Sequence, residues 1–597
     1  MGAFQELQRA VTKLGLIRTL SLILEKRKKK IRIASLLAKH DGIATLKQFE
    51  ILAPSLTPEE ETAIIEKADA MLRDENFFFT FPYKTQDIED PWNYDLLEEK
   101  YWQKKHYEET RVHGADTPKD VKIVWEINRF KDLPVLAEAA FITKDKKYAD
   151  EVEKRLLSWI DCNPFGNSIN WSSPLEFGIR IMSWIASLRM LSSVGFRVCD
   201  NELIQRSVYE HAAFLGAALS TDKTVRSNHL IGETAGLYIV SCLCEFDEAD
   251  ELRKKAKSIL EDSVLKQTYP DGASRESSGW YHVFVTDFAE LALRVGVANG
   301  DVFSDEYIKR FGLMLLYRNS IIAADGAITK YGDFDNGKAI DLALKWRDVV
   351  FGISPVAATE RNNYFPEAQH ITAKVATNSL FVRAGEFGWG GSGFSSHAHD
   401  DFLAPEFVFH RHQILVDPGT YVYNGDPTNR DNFRIADSHN SVIIGENTGA
   451  VLKPSFGWIK VRPDSSIDFF SENEEEILSE ASFGEWRGEH LRRFRLTKDM
   501  LSVEDHFELK KEQKVTWHFH FHPRWRVKTL GGGKFALHDF RGTEFLFELS
   551  PVGLEFEVRD YSFSPSYMEK SPGKKITFTT TLAPGAHHYK FEVTRPS

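Results

Sequence analysis

The spacing of apolar residues changes once along the chain, and this change divides the chain into two parts. From about residue 5 to residue 370, apolar positions recur every three to four residues, which is the period of an amphipathic α-helix. From about residue 375 onwards the period is two, as in β-strands. The pattern therefore predicts an all-α first domain, joined near 365–375 to an antiparallel β second domain.

The clearest helical segment is 173–191. Ser173 and Glu176 have the spacing of a capping box, and Pro174 occupies the first position of the predicted helix. Many segments of similar length follow the same period without strands between them, which favours stacked helical hairpins. These further helices are predicted near 58–73, 132–141, 147–160, 203–219, 229–245, 248–261, 285–298 and 305–323.

Short segments with alternating apolar residues fill the second part, and turn residues separate them at regular intervals. This regular spacing favours an all-β sandwich. The apolar run at 402–409 is also predicted to be a strand in the core. The predicted strands lie at 379–385, 412–419, 439–445, 501–509, 514–522, 544–550 and 575–582.

Composition and charge exclude some classes of function. The formal net charge is −12, whereas a nucleic-acid-binding protein usually carries a basic surface, so no nucleic-acid partner is expected. The four cysteines lack the spacing of a metal site, and nothing indicates a disulfide framework. With 597 residues, the chain is also too long for one compact core.

The N-terminal region bears on the location of the protein. No run of about 18 apolar residues occurs, so no membrane span is expected. The basic run at 26–30 follows an apolar patch at 14–24, which reverses the order found in a secretory signal. A cytoplasmic location is therefore expected, and secretion or a periplasmic location by another route stays open.

Polar and aromatic residues stand near two predicted helix starts in the first part. The segment 226–236 carries Asn228 and His229, and the segment 269–284 leads into a helix through Tyr281. Histidine and tyrosine side chains can transfer protons. A capped helix and ordinary aromatic packing would explain them without any chemistry, and both interpretations stay open on the residues alone.

The loop 331–337, with the sequence YGDFDNG, places Asp333 and Asp335 two residues apart. Two such carboxylates suit a cation or the hydroxyl groups of a sugar. A simple turn is the favoured alternative, because Gly, Asn and Asp are the residues that turns prefer.

Histidines and carboxylates are crowded where the β part begins. His397 and His399 are separated by one residue, Asp417 follows His399 by 18 residues, and His439 follows Asp417 by 22. Two histidines and one carboxylate on neighbouring strands form a plausible zinc-type set, and an ordinary polar turn is the alternative. The run HFHFH at 518–522 puts three histidines on one strand face, which is a weaker metal candidate than a solvated or packed face.

Eight segments, taken in order, resemble the heparinase II/III family of polysaccharide lyases. The resemblance implies an N-terminal incomplete (α/α) toroid of helical hairpins and a C-terminal antiparallel β-sandwich. We therefore expect a helical extension over 1–95, the toroid as catalytic domain over 96–370 and the β-sandwich over 371–597. The eight segments are VWEINRF (124–130), NPFGNSINWSSPLEFGIRIMSW (163–184), SNHLIGETAG (227–236), YPDGASRESSGWYHVF (269–284), GDFDNG (332–337), SSHAHDDF (395–402), DPGTYVY (417–423) and FRIADSHNSV (433–442).

The resemblance implies β-elimination at a uronic acid within an anionic polysaccharide. Removing the C5 proton puts more negative charge on the neighbouring carboxylate, so a base, an acid for the leaving O4 and a neutralising group are needed. By match to the family's motifs, Asn228 and His229 would neutralise the carboxylate. Tyr281 would act as base, acid or both, with His397 as the alternative base. A tyrosine base would need its pKa lowered by nearby positive charge.

The resemblance also implies a substrate class and further site residues. Glycosaminoglycans such as heparan sulfate, hyaluronan or chondroitin are the first expectation for the partner polysaccharide, and alginate is the next. No oligomeric state is predicted. The second-rank candidates for substrate contact are Arg180, Glu233, Arg275, Glu276 and Tyr423.

His399, Asp417 and His439 match the positions that hold a structural metal in members of the family that have one. A divalent ion is therefore expected there, zinc first and calcium or manganese next, and no organic cofactor is expected. One departure from the family's usual Gly-His-Ala-His-Ala-Asp block stands out. Ser396 replaces the glycine and Asp400 replaces the second alanine, which adds two polar groups.

Two other classes of function stay open. A glycoside hydrolase on an α/α toroid would need two opposed carboxylates, for which Asp333, Asp335 and Glu233 are available. A non-catalytic glycan-binding protein linked to polysaccharide synthesis is the other alternative. Neither alternative explains why Tyr281 and His397 occur together.

Overall fold

The fold is that of a computed structural model. The described residues are 16–38, 42–48, 51–110, 112, 117–222, 227–357, 360–387, 396–446, 448, 450–453, 456–461, 465–483 and 489–596. The chain divides into two compact units. The first contains 1–266, 287–308 and 338–356, and the second contains 267–286, 309–337 and 357–597. The bounds of the three predicted regions, 1–95, 96–370 and 371–597, stay predictions.

The first unit is built almost entirely of helices, as the apolar period predicts. Its central helices are apolar on most sides, and Pro174–Ser193 is buried from Leu175 to Leu191. None of the described helices is long and apolar enough to cross a membrane. The α-helices within the described residues are Leu16–Ala38, Pro58–Leu72, Val121–Ile127, Leu133–Thr143, Lys146–Cys162, Pro174–Ser193, Glu202–Ala218, Asn228–Leu243, Ala249–Gln267, Gly279–Ala298, Asp305–Ser320, Leu344–Phe351 and Pro427–Asn432.

The helix start predicted at Ser173 is confirmed, but neither half of the predicted capping box forms. Ser173 is the N-cap and Pro174 is the first helical residue, but the serine side chain makes no capping hydrogen bond. Glu176 instead accepts two hydrogen bonds from Arg129, at 2.7 and 2.9 Å, so its carboxylate is not turned back to the cap. A buried arginine offers a charged partner, which is a stronger interaction than the cap.

The second unit contains two large antiparallel sheets and a two-stranded one, Val451–Leu452 with Trp458–Lys460. One sheet has the strand order Glu555–Phe563, Ser571–Leu582, Gln513–Phe521, His412–Leu415, Glu406–Phe409, Asn378–Arg383, His370–Val375 and Tyr364–Phe365, with Val442–Ile444 paired to Gln513–Phe521. The other has the order Ser465–Glu472, Glu476–Phe483, Glu489–Thr497, Met500–Leu509, Gly585–Thr594, Glu544–Ser550, Lys534–His538 and Arg526–Gly531. The predicted antiparallel β part is therefore confirmed.

Aromatic side chains from both sheets fill one core. The ring of Phe519 lies 5.0 Å from that of Phe547 and 4.6 Å from that of Phe591, centroid to centroid. Phe519 and Phe521 point into this core, and His518 and His520 lie on the opposite face of the same strand, as strand alternation requires. That face is covered, since His518 and His520 are both buried.

The apolar run 402–409 is a strand only in its second half. Glu406–Phe409 pairs on both sides, whereas 402–405 is a turn in which Leu403 has φ +53°. The backbone around His397 and His399 is likewise irregular. Strand alternation therefore does not dictate where these two imidazoles point.

Candidate active site

The carboxylate of Asp333 lies at the centre of a buried polar cluster in the second unit. Its Oδ2 lies 2.9 Å from Nδ1 of His397, and its Oδ1 lies 2.9 Å from Nε2 of His399. Arg430 donates to both oxygens, at 2.8 Å in the bond to Oδ2. The side chains of Asp333, His399 and Arg430 are fully buried. One carboxylate therefore joins two histidines and an arginine away from water.

The backbone of the loop 331–337 fixes the place of this carboxylate. The Asp333 N–H donates to the carbonyl oxygen of His397 at 2.9 Å. Gly332 has φ +60°, and a Cβ on it would lie 2.1 Å from the carbonyl oxygen of Ser277 and 2.6 Å from that of His397. Only glycine fits between these two carbonyl groups, so the Gly-Asp pair in the sequence is what lets Asp333 reach the histidines.

The ionisation of Asp333 decides which ring nitrogens carry protons. Burial alone would raise the pKa of Asp333, but the charge of Arg430 and the hydrogen bonds from both histidines hold it well below its usual range. An ionised carboxylate can only accept hydrogen bonds. His397 must therefore donate from Nδ1, and its Nε2 is unprotonated in the neutral ring. An unprotonated imidazole nitrogen is the atom that a general base needs.

The imidazole of His397 lies against the phenol ring of Tyr281. The ring centroids are 3.6 Å apart and the planes are inclined by 20°. Tyr281 is near the start of the helix Gly279–Ala298. Its backbone N–H donates to the hydroxyl of Ser278 at 3.1 Å, as at a capped helix start. His397 keeps 12% of its side chain exposed, so the stacked pair lies at the edge of the buried cluster.

The hydroxyl of Tyr281 sits among acidic groups. It donates to Oδ2 of Asp335 at 3.2 Å and lies 3.2 Å from the hydroxyl of Tyr423. Burial, and then the negative charges of Asp335 and Asp333, raise the pKa of Tyr281 well above its usual value. The lowered pKa that a tyrosine base would need is therefore not found. A neutral phenol is suited to giving up a proton in the reaction and not to taking one.

Tyr423 and Glu276 complete the surroundings of the stacked pair. The guanidinium of Arg430 lies over the ring of Tyr423 at 5.0 Å, and the Tyr423 N–H donates to the hydroxyl of Tyr567 at 2.9 Å. Oε2 of Glu276 lies 3.9 Å from Nε2 of His397. Arg275 stands apart from this group, with its guanidinium 4.2 Å from the ring centroid of Tyr269. Glu276 and Tyr423 are thus in the cluster.

His399, Asp417 and His439 form a group that could hold a metal ion. Each offers one ligand atom, and these atoms lie within 4.8 Å of one another. Nδ1 of His399 and Nε2 of His439 are buried and make no hydrogen bond within the described part of the chain. The other nitrogen of each ring is held by a carboxylate, that of Asp333 or that of Asp417, at 2.9 and 2.7 Å. A carboxylate on one imidazole nitrogen orients the other as a ligand, so these residues fit a divalent ion.

The remaining predicted site residues belong to the first unit. Asn228 begins the helix Asn228–Leu243 and is buried, and His229 beside it is partly exposed. Glu233 accepts from the backbone N–H and the hydroxyl of Ser220, at 2.6 and 2.7 Å. The roles predicted for these three residues stay predictions.

Arg180 is fully buried in the first unit and has structural partners. Its Nε donates to the carbonyl oxygen of Asn128 at 2.9 Å, and one Nη lies 3.1 Å from Nε2 of His211. The guanidinium also lies 4.3 Å from the ring centroid of Trp159. This environment favours a structural role, and substrate contact by Arg180 stays a prediction without a supporting contact.

Asp333 and Arg430 organise the cluster, although the sequence alone does not indicate their importance. Asp333 lies in a loop for which a simple turn was the favoured interpretation, although Gly-Asp-x-Asp-Asn-Gly was a usable signal. Arg430 has no sequence signal, because it is one basic residue in the short helix Pro427–Asn432. Of the two added polar residues, Asp400 is buried and accepts from the hydroxyl of Thr448, whereas Ser396 is half-exposed.

The chain has a helical unit and an antiparallel β-sandwich, and in its site a tyrosine stacks on a histidine that a carboxylate holds. These features place the protein in the class with an (α/α) toroid and a β-sandwich. The family models agree with this class. The model described as "Heparinase II/III N-terminus" matches residues 28–349, and "Heparinase II/III-like, C-terminal" matches residues 358–591. The chain belongs to the heparinase II/III family, which confirms the resemblance read from its eight segments.

Two curated relatives are named heparin-sulfate lyases. One, from Pedobacter heparinus, is 24% identical over 332 residues, which are 52% of this chain and 49% of the relative. The other, from Bacteroides stercoris, is 22% identical over 377 residues, which are 56% of each chain. The matched region thus spans about half the length of these relatives.

Solved structures share the fold. Heparinase III matches with a TM-score of 0.66 and 15% identity, over 94% of this chain and 88% of that one. The heparan sulfate lyase HepC from Pedobacter heparinus matches with a TM-score of 0.55 and 16% identity, over 99% of this chain and 90% of that one. The predicted fold class, an incomplete (α/α) toroid followed by an antiparallel β-sandwich, is therefore confirmed.

Proposed function

We propose that this protein is a polysaccharide lyase that cleaves a uronic-acid-containing glycosaminoglycan by β-elimination. The observation that carries the proposal is the stacked pair of Tyr281 and His397, with Nδ1 of His397 held by the carboxylate of Asp333. This arrangement supplies a positioned base nitrogen and a protonated phenol side by side. The names of the curated relatives, heparin-sulfate lyases, support the same class of substrate.

The two side chains divide the proton transfers between them. Nε2 of His397 takes the C5 proton, and the electron pair of the broken C–H bond is delocalised onto the neighbouring carboxylate. As the C4–O4 bond breaks, this pair forms the C4–C5 double bond, the C–O bonding pair leaves with O4, and the hydroxyl of Tyr281 gives its proton to O4. We assign the acid role to Tyr281 because acidic neighbours raise its pKa and keep it protonated. Asn228 and His229 remain the candidates for neutralising the carboxylate of the uronate.

A divalent metal at His399, Asp417 and His439 would supply structural support and no proton transfer. The donor set of two imidazoles and one carboxylate favours zinc over calcium, which prefers oxygen ligands. Asp333 connects this group to the reaction, because the same carboxylate accepts from His399 and from His397. A shift of His399 would therefore shift the carboxylate of Asp333 and, through it, the ring of His397.

The hydrolase alternative fits the site less well. A hydrolase needs two carboxyl groups free to face the scissile bond. Asp333 is fully buried and already holds Arg430 and two histidines. Asp335 accepts from Tyr281 and from the N–H of Gly337, and Glu233 is held by Ser220. A non-catalytic glycan-binding protein stays the second candidate, since binding alone would use the same partly exposed edge.

The proposal is tested with a panel of polymers and two readouts. The purified protein is mixed with heparan sulfate, heparin, hyaluronan, chondroitin sulfates and alginate, and ultraviolet absorbance and new reducing ends are both recorded. Elimination creates a double bond conjugated with the carboxylate, so we expect absorbance and reducing ends to rise together with a glycosaminoglycan. Reducing ends without absorbance would establish a hydrolase, and no cleavage of any polymer would leave a binding protein.

A further inference from the structure

A second cluster of potential metal ligands lies on the outer face of the eight-stranded sheet. The strands Met500–Leu509 and Gly585–Thr594 pair antiparallel, and His506 stands directly opposite His588. Glu504 precedes His506 by two residues on the same strand, so its side chain points to the same face. Val503 and Phe507, on the alternate positions, are buried in the core of the sandwich.

The three side chains converge on one point. Oε2 of Glu504 lies 3.8 Å from Nε2 of His506 and 3.7 Å from Nε2 of His588. All three ligand atoms lie within 4.8 Å of one another, and the two imidazole rings are stacked with centroids 4.4 Å apart. Two ligands of a tetrahedral ion at bond lengths of about 2 Å are about 3.3 Å apart, so small side-chain rotations would bring these atoms into place.

The ring of His506 lies beside Glu504 and His588 and offers a buried nitrogen to this cluster. Nε2 of His506 makes no hydrogen bond to any described residue, which leaves its lone pair without a partner. A metal ion would satisfy it.

Neighbouring cations do not hold Glu504 in another arrangement. Lys590 stands opposite Glu504 but pairs with Glu592 at 2.7 Å. Arg493 stands opposite Glu504 on the other neighbouring strand and its guanidinium lies 3.6 Å from Oε2, but Glu480 binds this guanidinium more closely. The carboxylate of Glu504 can therefore turn towards the two imidazoles.

We propose that Glu504, His506 and His588 form a second metal site, for a divalent transition metal that prefers imidazole, such as zinc, copper or nickel. Imidazole and carboxylate ligands suit these ions, and solvent supplies the remaining ligands because the cluster is partly exposed. The site shares no residue with His399, Asp417 and His439. An ion here would clamp Gly585–Thr594 to the neighbouring strand.

The test compares the full-length wild-type protein with three variants. His588→Ala removes one ligand, Glu504→Gln replaces the carboxylate, and His587→Ala is the matched control on the adjacent residue, whose ring contacts the carbonyl oxygen of Ala583. Each protein is equilibrated with zinc by dialysis, and bound metal per chain is measured by elemental analysis. Circular dichroism confirms that each variant is folded.

We expect His588→Ala to bind one equivalent less than the wild type and His587→Ala to bind the same amount. Glu504→Gln should bind at this site at least about tenfold more weakly. With copper, the electron paramagnetic resonance spectrum should lose a nitrogen-coordinated signal in His588→Ala alone. Equal zinc stoichiometry in the wild type and His588→Ala, or an equal loss in His587→Ala, would overturn the proposal.

Discussion

The carboxylate of Asp333 accepts from Nδ1 of His397 at 2.9 Å, and the same carboxylate accepts from His399 and from Arg430. This relationship sets the tautomer of His397 and leaves its Nε2 as the acceptor for a proton. The phenol ring of Tyr281 stacks against one face of the same imidazole. The reactivity of His397 therefore depends on a residue that itself is fully buried.

Replacing Asp333 by Asn should abolish most of the activity. The amide can donate to Nδ1, which favours the tautomer with the proton on Nε2 and removes the base, so kcat should fall by about 10²–10⁴-fold. The change also leaves Arg430 buried without its charge partner, at a cost of about 3–5 kcal/mol in the free energy of unfolding. Steady-state kinetics and urea denaturation measure the two effects.

The double variant Asp333→Asn/Arg430→Met separates the loss of the base from the loss of stability. It should recover part of the lost stability, because the unpaired charge is gone, while kcat stays low. Recovery of kcat along with stability would mean that Asp333 matters only for the fold.

Gly332→Ala should be far more damaging than Gly326→Ala. Both glycines have positive φ, +60° and +91°, but only at Gly332 would the added Cβ meet two carbonyl oxygens, since nothing lies within 4 Å of a Cβ at Gly326. The backbone strain common to both costs about 1–3 kcal/mol. We expect Gly326→Ala to keep its activity and Gly332→Ala to lose both stability and activity, as measured by thermal unfolding and initial rates. Similar losses in the two variants would contradict the close fit at Gly332.

Acid should destabilise the sandwich through Asp505. Burial would raise the pKa of Asp505, but Arg492 and His490 outweigh it and lower that pKa. A carboxyl with a lowered folded-state pKa contributes stability above its unfolded value of about 3.9, and this contribution is lost as pH falls through the lower folded-state pKa. Asp505→Asn should therefore be less stable than the wild type at neutral pH.

The difference between the two proteins should shrink steadily below about pH 4. Urea denaturation midpoints of the wild type and Asp505→Asn across acidic pH would show this convergence. A constant difference at every pH would rule out the lowered pKa as its cause.

Metal removal should weaken the protein if the buried group holds an ion. We expect the purified protein to contain one tightly held divalent metal that His439→Ala loses, with a melting temperature several degrees lower. Elemental analysis after dialysis against a chelator, and thermal unfolding of both proteins, provide the measurement. Equal metal content in His439→Ala and wild type would place the ion elsewhere.

Much of the fold could be predicted from the sequence, because the apolar period depends on burial. The helices Pro58–Leu72 and Pro174–Ser193 and the strand Gln513–Phe521 fall close to their predicted segments. Local chemistry was less predictable. Glu176 has the spacing of a cap, yet a distant arginine takes its carboxylate, and sequence spacing contains no information about such a partner.

The site could be predicted only where its residues form motifs. Tyr281 and His397 lie in such motifs, and the structure brings them together. Asp333 was assigned to a turn and Arg430 was not identified, because their importance comes from a contact between residues 97 positions apart. The acidic surroundings that raise the pKa of Tyr281 have the same origin in tertiary contacts.

The most direct test of the lyase proposal is the ultraviolet absorbance of wild type, Tyr281→Phe and Tyr423→Phe with heparan sulfate. Tyr281→Phe removes only the hydroxyl that would protonate O4, while the stacked ring remains. We expect the wild type to generate absorbance, Tyr423→Phe to keep much of that rate and Tyr281→Phe to lose about 10²–10⁴-fold in kcat. A wild-type protein that releases reducing ends without absorbance, or a Tyr281→Phe variant as fast as the wild type, would contradict the account.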